Sequence, residues 1–217
     1  MSAEGLNKTT PITAFGRYWW VFLFMAFVLA YFFVVSFLVV AGKAQRVDGP
    51  VSGLFEAVVT IAPWHAEGLI AYAEYKRSYA TSGEANNSNA VLQDSLRLIE
   101  EAIQVRPLWP YYHLGALDAE YLLGRPDEVI QARLDTIINL APNERGLDFN
   151  LIELSLLSWH NLRSDQQRWI AARIQTARRD TRKELSGFIE QMIKTDPAFC
   201  STLPWQTVRK FCLPSPE

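Results

Sequence analysis

The stretch IEEAIQVRPLWPYYHLGALDAEYLLG, residues 99–124, contains two apolar helical segments on either side of a pair of prolines. Pro107 and Pro110 lie between the segments, and proline neither continues a helix nor favours helix in the residue before it. The stretch therefore predicts that one helix ends before Pro107 and that a second helix begins near Pro110.

The segment that ends at Pro107 is one copy of a recurring pattern. Each copy places apolar residues one helical turn apart before a final proline. The copies are FEAVVTIAP at 55–63, IEEAIQVRP at 99–107, LDTIINLAP at 134–142 and IEQMIKTDP at 189–197. Pro107 and Pro142 are 35 residues apart, close to the tetratricopeptide period of about 34 residues. The outer intervals are 44 and 55 residues, so we expect a degenerate repeat array.

A single helical hairpin cannot bury its apolar stripe, which is why neighbouring hairpins stack into one core. The polar run 81–90 predicts an enlarged loop between two helices. Gly124 followed by Pro126 predicts a helix end and a new helix start. No stretch alternates with the period of two that a half-buried strand shows. The sequence thus predicts an all-α, tetratricopeptide-like hairpin domain over 54–164, followed by a long basic helix and a cysteine-bearing cap over 165–217.

The segment WWVFLFMAFVLAYFFVVSFLVV, residues 19–40, has 22 residues and contains no charge, proline or glycine. As a helix it spans about 33 Å, enough for a hydrocarbon core of about 30 Å. It is longer than the apolar stretch of about 7 to 15 residues in a signal peptide. We therefore predict an uncleaved membrane anchor over 19–41, a cytoplasmic tail over 1–18 and a tether over 42–53. The basic residues on the two flanks are nearly balanced, so the positive-inside rule favours this orientation only slightly.

The only cysteines of the chain, Cys200 and Cys212, lie close together near its end. One interpretation is a disulfide that closes a small terminal loop in an oxidising compartment. The other is a pair of buried free thiols in a cytosolic domain, since free cysteine is often buried.

Composition and spacing argue against several functions. A net charge of −2 and a pI near 6.0 give no overall basic field for nucleic acid. The histidines His65, His113 and His160 are far apart and lack metal-ligand spacing. Asp118 and Glu120 lie two residues apart, so a helix points them to different faces. Neither a glycine-rich phosphate loop nor a nucleophile elbow is present. We predict no enzyme activity, no metal and no cofactor.

Two surfaces are candidates for partner binding. The first is a set of basic residues that either forms a solvated face with weak ion pairs or faces lipid headgroups, an acidic saccharide or an acidic protein. It comprises Arg168, Arg173, Arg178, Arg179, Arg182 and Lys183. The second is a set of aromatic residues that either fills gaps between hairpins or binds a partner. It comprises Trp64, Trp109, Tyr111 and Tyr112.

The segment RPLWPYYHLGALDAEYLLGRPDEVIQARLDTIINLAPNE, together with Trp159 and the ending LPWQTVRKFCL, resembles the VpsP family of membrane-anchored, tetratricopeptide-like polysaccharide-biosynthesis accessory proteins. The resemblance covers roughly residues 95–212 and is carried by moderately specific motifs. It implies a bacterial inner-membrane protein whose domain lies outside the cytoplasm and assists assembly or export of an exopolysaccharide. It implies no catalytic residues.

The predicted function is therefore a non-catalytic scaffold, with the bilayer and membrane or periplasmic proteins of an envelope assembly as partners. One alternative is a periplasmic chaperone or assembly factor for secretion, pili or cytochromes. Another is a protein that binds or modifies acidic saccharides, with tryptophans as stacking platforms and arginines as anion ligands.

Overall fold

The computed structural model describes residues 12–44, 52–83, 85–203, 205–208 and 212 of the 217-residue chain. All regular structure in these ranges is helical, which confirms the predicted fold class. The α-helices are α1 Ile12–Ala44, α2 Ser52–Ile61, α3 Ala66–Thr81, α4 Ser88–Val105, α5 Pro110–Leu122, α6 Asp127–Leu140, α7 Asp148–Leu157, α8 Ser164–Thr176, α9 Arg179–Thr195, α10 Phe199–Thr202 and α11 Trp205–Thr207. The 3-10 helices η1 Arg145–Leu147 and η2 Trp159–Asn161 flank α7.

The chain divides into two compact units, residues 1–63 and 64–217. The first unit contains α1 and α2. From Tyr18 to Ala44, α1 has a mean hydropathy of 2.8 and is long enough to cross a membrane. The predicted hairpin domain begins at residue 54, whereas the second unit begins at Trp64, because α2 packs against α1.

The contacts between α2 and α1 include a hydrogen bond and a close ring packing. The Tyr31 hydroxyl donates a hydrogen bond of 3.2 Å to the carbonyl of Ile61. The ring of Phe55 lies so close to Gly42 that a Cβ there would be 2.7 Å from it. Glycine at position 42 therefore permits this approach.

The predicted boundaries around the anchor need correction. The predicted tether over 42–53 is too long, because α1 continues to Ala44 and α2 already begins at Ser52. Lys43 in the last turn of α1 interacts favourably with the helix dipole. Residues 45–51 lie outside the described residues, as do residues 1–11 of the predicted tail, while residues 12–18 belong to α1.

The prolines of the recurring pattern mark helix ends as predicted. The helices α2, α4, α6 and α9 each end two residues before one of these prolines, at Ile61, Val105, Leu140 and Thr195. The common cause is that proline lacks the N–H of the ladder and restricts the preceding residue to extended backbone.

The second unit begins with α3 to α6, each of which packs against the next. The pair α3 and α4 is antiparallel, since Lys76 meets Asp94 at 2.6 Å while Glu67, earlier in α3, meets Arg106 at the end of α4. Inside this pair, Ser95 donates a buried hydrogen bond of 2.8 Å to the carbonyl of Ala73. This bond satisfies the hydroxyl within the apolar contact.

The end of α5 has the geometry that Gly124 predicts. Gly124 has φ +61°, in the left-handed region that glycine adopts at little cost. Its N–H donates to the carbonyl of Tyr121 at 2.9 Å, and the N–H of Arg125 donates to the carbonyl of Glu120 at 3.0 Å. This Schellman pattern satisfies two carbonyls that the helix end leaves unpaired.

The prediction of one long helix after residue 165 is wrong. The chain leaves α8 at Ala177, which is buried and has extended backbone with ψ 145°, and re-enters helix in α9. Both helices pack against α7. The break allows α8 and α9 to contribute to the same core, whose buried members here include Ile170, Ile174, Leu185 and Ile189. Each such side chain contributes about 1.5 to 3 kcal/mol by its burial.

A disulfide bond joins Cys200 and Cys212, whose Cα atoms are 6.2 Å apart. Both cysteines of the chain are thus used in one bond. The loop that it closes contains α11, which packs on α8, and Cys212 itself packs against the core of the second unit. The disulfide therefore closes the chain end over α8.

Candidate partner-binding site

An exposed apolar surface lies where α4 passes into α5. We call it the aromatic edge, and it consists of Val105, Leu108, Trp109 and Tyr111. The exposed fractions of Leu108, Trp109 and Tyr111 are 77%, 47% and 40%. The rings of Trp109 and Tyr111 are 5.6 Å apart in a tilted arrangement. Side chains of this size usually lie in a core, so their exposure marks a surface suited to binding.

The turn into α5 fixes the backbone of the aromatic edge. Trp109 is the N-cap residue of α5 and Pro110 is its first helical residue. At that position proline lacks only an N–H that the helix would leave unpaired. The Pro107 carbonyl lies 2.8 Å from Nε2 of the buried His113, so Nε2 carries the proton and donates it. His113 therefore has a structural role.

Tyr112 is buried next to the aromatic edge and packs against Trp109. Only 3% of this residue is exposed, so the prediction that it faces a partner is wrong. Its hydroxyl donates to Glu67 of α3 at 2.8 Å, and Arg106 pairs with the same carboxylate at 3.0 Å. Burial and the bond to Glu67 raise the pKa of Tyr112 to about 12. Its ring lies 6.5 Å from that of Trp109.

Tyr111 is fixed from the other side by the loop after α6. Burial, and a hydrogen bond to Glu144, raise the pKa of Tyr111. Its hydroxyl lies against Gly146, where an added Cβ would clash. Glu144 also accepts a hydrogen bond of 2.8 Å from the N–H of Gly146. The aromatic edge is thus held by contacts with two neighbouring turns.

Trp64 lies before α3 in the same way as Leu108 lies before α5. His65 is the N-cap residue of α3 and accepts a hydrogen bond of 3.0 Å from the N–H of Gly68 through Nδ1. Trp64, which is exposed, precedes this cap as Leu108 precedes the cap of α5. The entries to α3 and α5 therefore each carry an exposed apolar side chain before the cap.

Arg173 does not belong to the predicted basic surface. It is 6% exposed and pairs with the fully buried Asp148. Its guanidinium also donates to the carbonyls of Pro142 and Glu144 and lies 4.7 Å from the ring centre of Trp169. This is a structural anchor between α8 and the loop before α7. The buried residues of α8, at positions 166, 170, 173 and 174, lie on one face of the helix, and Arg173 is among them.

The other predicted basic residues are exposed. In the described part of the chain none of them forms an ion pair. Arg178 is the N-cap residue of α9, and its neighbours occupy the first turns of that helix. The exposed set is Arg168, Arg178, Arg179, Arg182 and Lys183.

The predicted divergence of Asp118 and Glu120 is confirmed. Asp118 pairs with Arg77 of α3 at 2.5 Å, whereas Glu120 pairs with Arg133 of α6 at 2.7 Å. Burial raises the pKa of Asp118, against the opposing effect of Arg77. Burial, and the charge of Asp118, raise the pKa of Glu153. These ion pairs join neighbouring helices and do not form an acid and base pair.

Within the described residues, no group of three histidine, cysteine, aspartate or glutamate side chains is arranged to hold a metal ion. His65 and His113 have the structural contacts given above, and His160 is exposed in η2. Sequence reasoning missed Gln167 and Trp205, which line an open groove beside α8 together with Arg168. Trp205 is separated from α8 in sequence, so no local pattern links them.

Comparison with solved structures finds similarity to a thermophilic TPR protein of Thermus thermophilus. The TM-score is 0.53, with 19% sequence identity over 66% of this chain and 73% of that chain. At this identity the similarity shows the fold alone, and it establishes a TPR-like helical fold here. No family model and no curated protein matches the chain.

Proposed function

We propose that this protein is a non-catalytic, membrane-anchored scaffold that holds a protein component of a bacterial envelope polysaccharide machine. The observation that carries the proposal is the aromatic edge, an exposed apolar surface on a TPR-like domain. Stacked helical hairpins form extended scaffolds that bind partners, and large aromatic side chains dominate the binding energy of many protein interfaces.

The anchor and the disulfide support the envelope location. The apolar part of α1 fits a single bilayer crossing. A disulfide persists in oxidising compartments such as the bacterial periplasm. Together they favour an inner-membrane protein whose second unit lies in the periplasm. The polysaccharide role comes from the resemblance to the VpsP family.

Photocrosslinking in cells tests the scaffold proposal. We would replace Leu108 in the full chain with a benzoylphenylalanine residue and, as a matched control, replace the exposed Val129 of α6 in the same way. We expect a discrete crosslinked protein at position 108 and none at position 129. Adding Trp109→Ala should weaken the crosslink about fivefold or more, since a central aromatic residue contributes about 1 kcal/mol or more. Trp205→Ala should leave the crosslink unchanged.

The identity of the crosslinked protein decides the pathway. A membrane component of polysaccharide assembly supports the proposal. A component of a secretion, pilus or cytochrome pathway supports a chaperone or assembly role instead. Equal crosslinks at positions 108 and 129, or none at either, would overturn the aromatic edge as the binding surface.

Thiol labelling tests the location. A reagent that enters the periplasm but does not cross the inner membrane should label Cys200 and Cys212 in intact cells only after reduction. Free thiols that become accessible only on lysis would place the second unit in the cytoplasm and contradict the proposed envelope role.

A further inference from the structure

An open groove of about 720 Å³ lies beside α8, and Trp205 of α11 forms part of its lining. Ala171 and Ala172 of α8 also line it, and these small side chains leave the space open. Trp159, 9% exposed, lines the groove but is largely buried. The indole of Trp205 is 66% exposed. The groove thus combines a flat, accessible indole ring with a surface of small alanine side chains.

Four polar side chains of α8 also line the groove, and they are Ser164, Gln167, Arg168 and Gln175. Gln167 donates from Nε2 to the carbonyl of Trp159 at 2.8 Å, which fixes its amide. Among the described residues its oxygen has no donor and is available as an acceptor. Arg168 donates from Nε to the carbonyl of Ser164 at 3.3 Å. It forms no ion pair with any described residue, so its terminal nitrogens are available to an anion.

The charge of the chain favours an anionic ligand at this end of the second unit. Residues 163–217 carry 10 basic and 6 acidic side chains, whereas residues 64–162 carry 7 basic and 14 acidic ones. The net positive charge of residues 163–217 favours an anion over a cation as the ligand at α8, whereas the net negative charge of residues 64–162 disfavours an anion there. A planar guanidinium in such a field matches a carboxylate in a bidentate pair.

The residues that line the groove suit a saccharide better than an acidic peptide. A bound peptide usually anchors bulky side chains in apolar pockets or adds a strand to a sheet edge. The groove instead offers one exposed ring, an alanine surface and the polar side chains of Ser164, Gln167, Arg168 and Gln175. A sugar ring has a flat apolar face that suits the indole and a rim of hydroxyls that suits the amide of Gln167.

We propose that the groove between α8 and the disulfide-closed loop binds an acidic saccharide, with a pyranose ring against Trp205 and its carboxylate on Arg168. The disulfide completes this site, because it closes the loop that carries Trp205. The proposal does not depend on the scaffold function, which uses the aromatic edge.

Equilibrium binding of the full chain in nanodiscs tests the site. The probes are an oligogalacturonate, a neutral maltohexaose and polyglutamate. We expect oligogalacturonate to bind most tightly, with an affinity that falls as salt rises. Arg168→Gln should weaken the binding of oligogalacturonate about tenfold or more, because it removes a charged hydrogen bond. The affinity of this variant for oligogalacturonate should then be close to its affinity for maltohexaose. Trp205→Ala should weaken the binding of both sugars. Reduction of the disulfide should also weaken the binding of both sugars.

Arg182→Gln is the matched control, since Arg182 is an exposed arginine of α9 that does not line the groove. An equal loss for the Arg168 and Arg182 variants would show that only general surface charge acts and would overturn the site. Polyglutamate binding at least as tight as oligogalacturonate would replace the saccharide with an acidic peptide. Absence of sugar binding at low salt would also overturn the proposal. Trp109→Ala should leave sugar binding unchanged, which separates this proposal from the scaffold proposal.

Discussion

The helices α3 to α6 and the helices α8 to α11 differ in what sets their ends and holds them together. The ends of helices α3 to α6 lie beside prolines, glycines and N-cap residues that can be recognised in the sequence. In α8 to α11 the chain breaks at Ala177 without proline or glycine, and it is held by Arg173 and a disulfide. Local signals therefore set the helix ends of the first region. In the second region Pro197 sets the end of α9, whereas contacts between distant residues hold the break between α8 and α9.

The largest expected effect comes from removing a distant contact in the second region. Arg173→Met should lower the free energy of unfolding by about 3 kcal/mol or more, because it leaves the carboxylate of Asp148 buried without its main partner. Arg145, 3.4 Å from Asp148, offsets part of this loss. Thermal unfolding of the full chain in detergent, followed by near-ultraviolet circular dichroism, measures the change.

Arg168→Met is the matched control for this prediction. It removes an exposed arginine five residues earlier in the same helix and should change stability by no more than about 0.5 kcal/mol. Similar losses in the two variants would show that Arg173 acts by general charge and not as a buried anchor.

A smaller effect tests the local signals of the first region. Gly124→Ala should cost about 1 to 2 kcal/mol, because alanine at φ +61° brings Cβ too close to the backbone. Gly187→Ala is the control, since Gly187 lies within α9 where a Cβ meets no atom within 4 Å and alanine favours helix. The same melting experiment should show a lower transition for the first variant and an equal or higher one for the second. Equal destabilisation would mean that the left-handed cap does not set the end of α5.

The smallest effect concerns the contact beneath the aromatic edge. The pKa of Tyr112 is raised to about 12, so its contribution to stability is complete below the ordinary pKa of about 10 and is lost as the pH rises toward 12. Between about pH 9 and pH 11 the native protein should lose about 1 kcal/mol more stability than Tyr112→Phe. Urea unfolding of both proteins at the two pH values measures the difference. Parallel losses would show that the Tyr112 hydroxyl is not buried against Glu67.

Much of the candidate site follows from the residues around Pro107. The two helix ends agree with the sequence pattern, because proline and N-cap geometry act within a few residues. The pattern left the exposure of Trp109 open, since an aromatic residue there could also fill a gap between hairpins. The burial of Tyr112 does not follow in this way. It depends on Glu67, 45 residues earlier, and no signal in the stretch from 107 to 112 distinguishes Tyr112 from Tyr111.

The sequence by itself determined the helical class, the apolar helix and the helix ends, because these depend on periodicity and on residues adjacent in the chain. Only the tertiary structure decided which arginines are exposed, where the chain turns after α8 and which residues meet across the groove at Trp205. Those outcomes depend on which segments, distant in the sequence, pack against each other and are removed from water. Arg168 and Arg173 show the difference, since they lie five residues apart on one helix, yet one is exposed and the other is buried against Asp148.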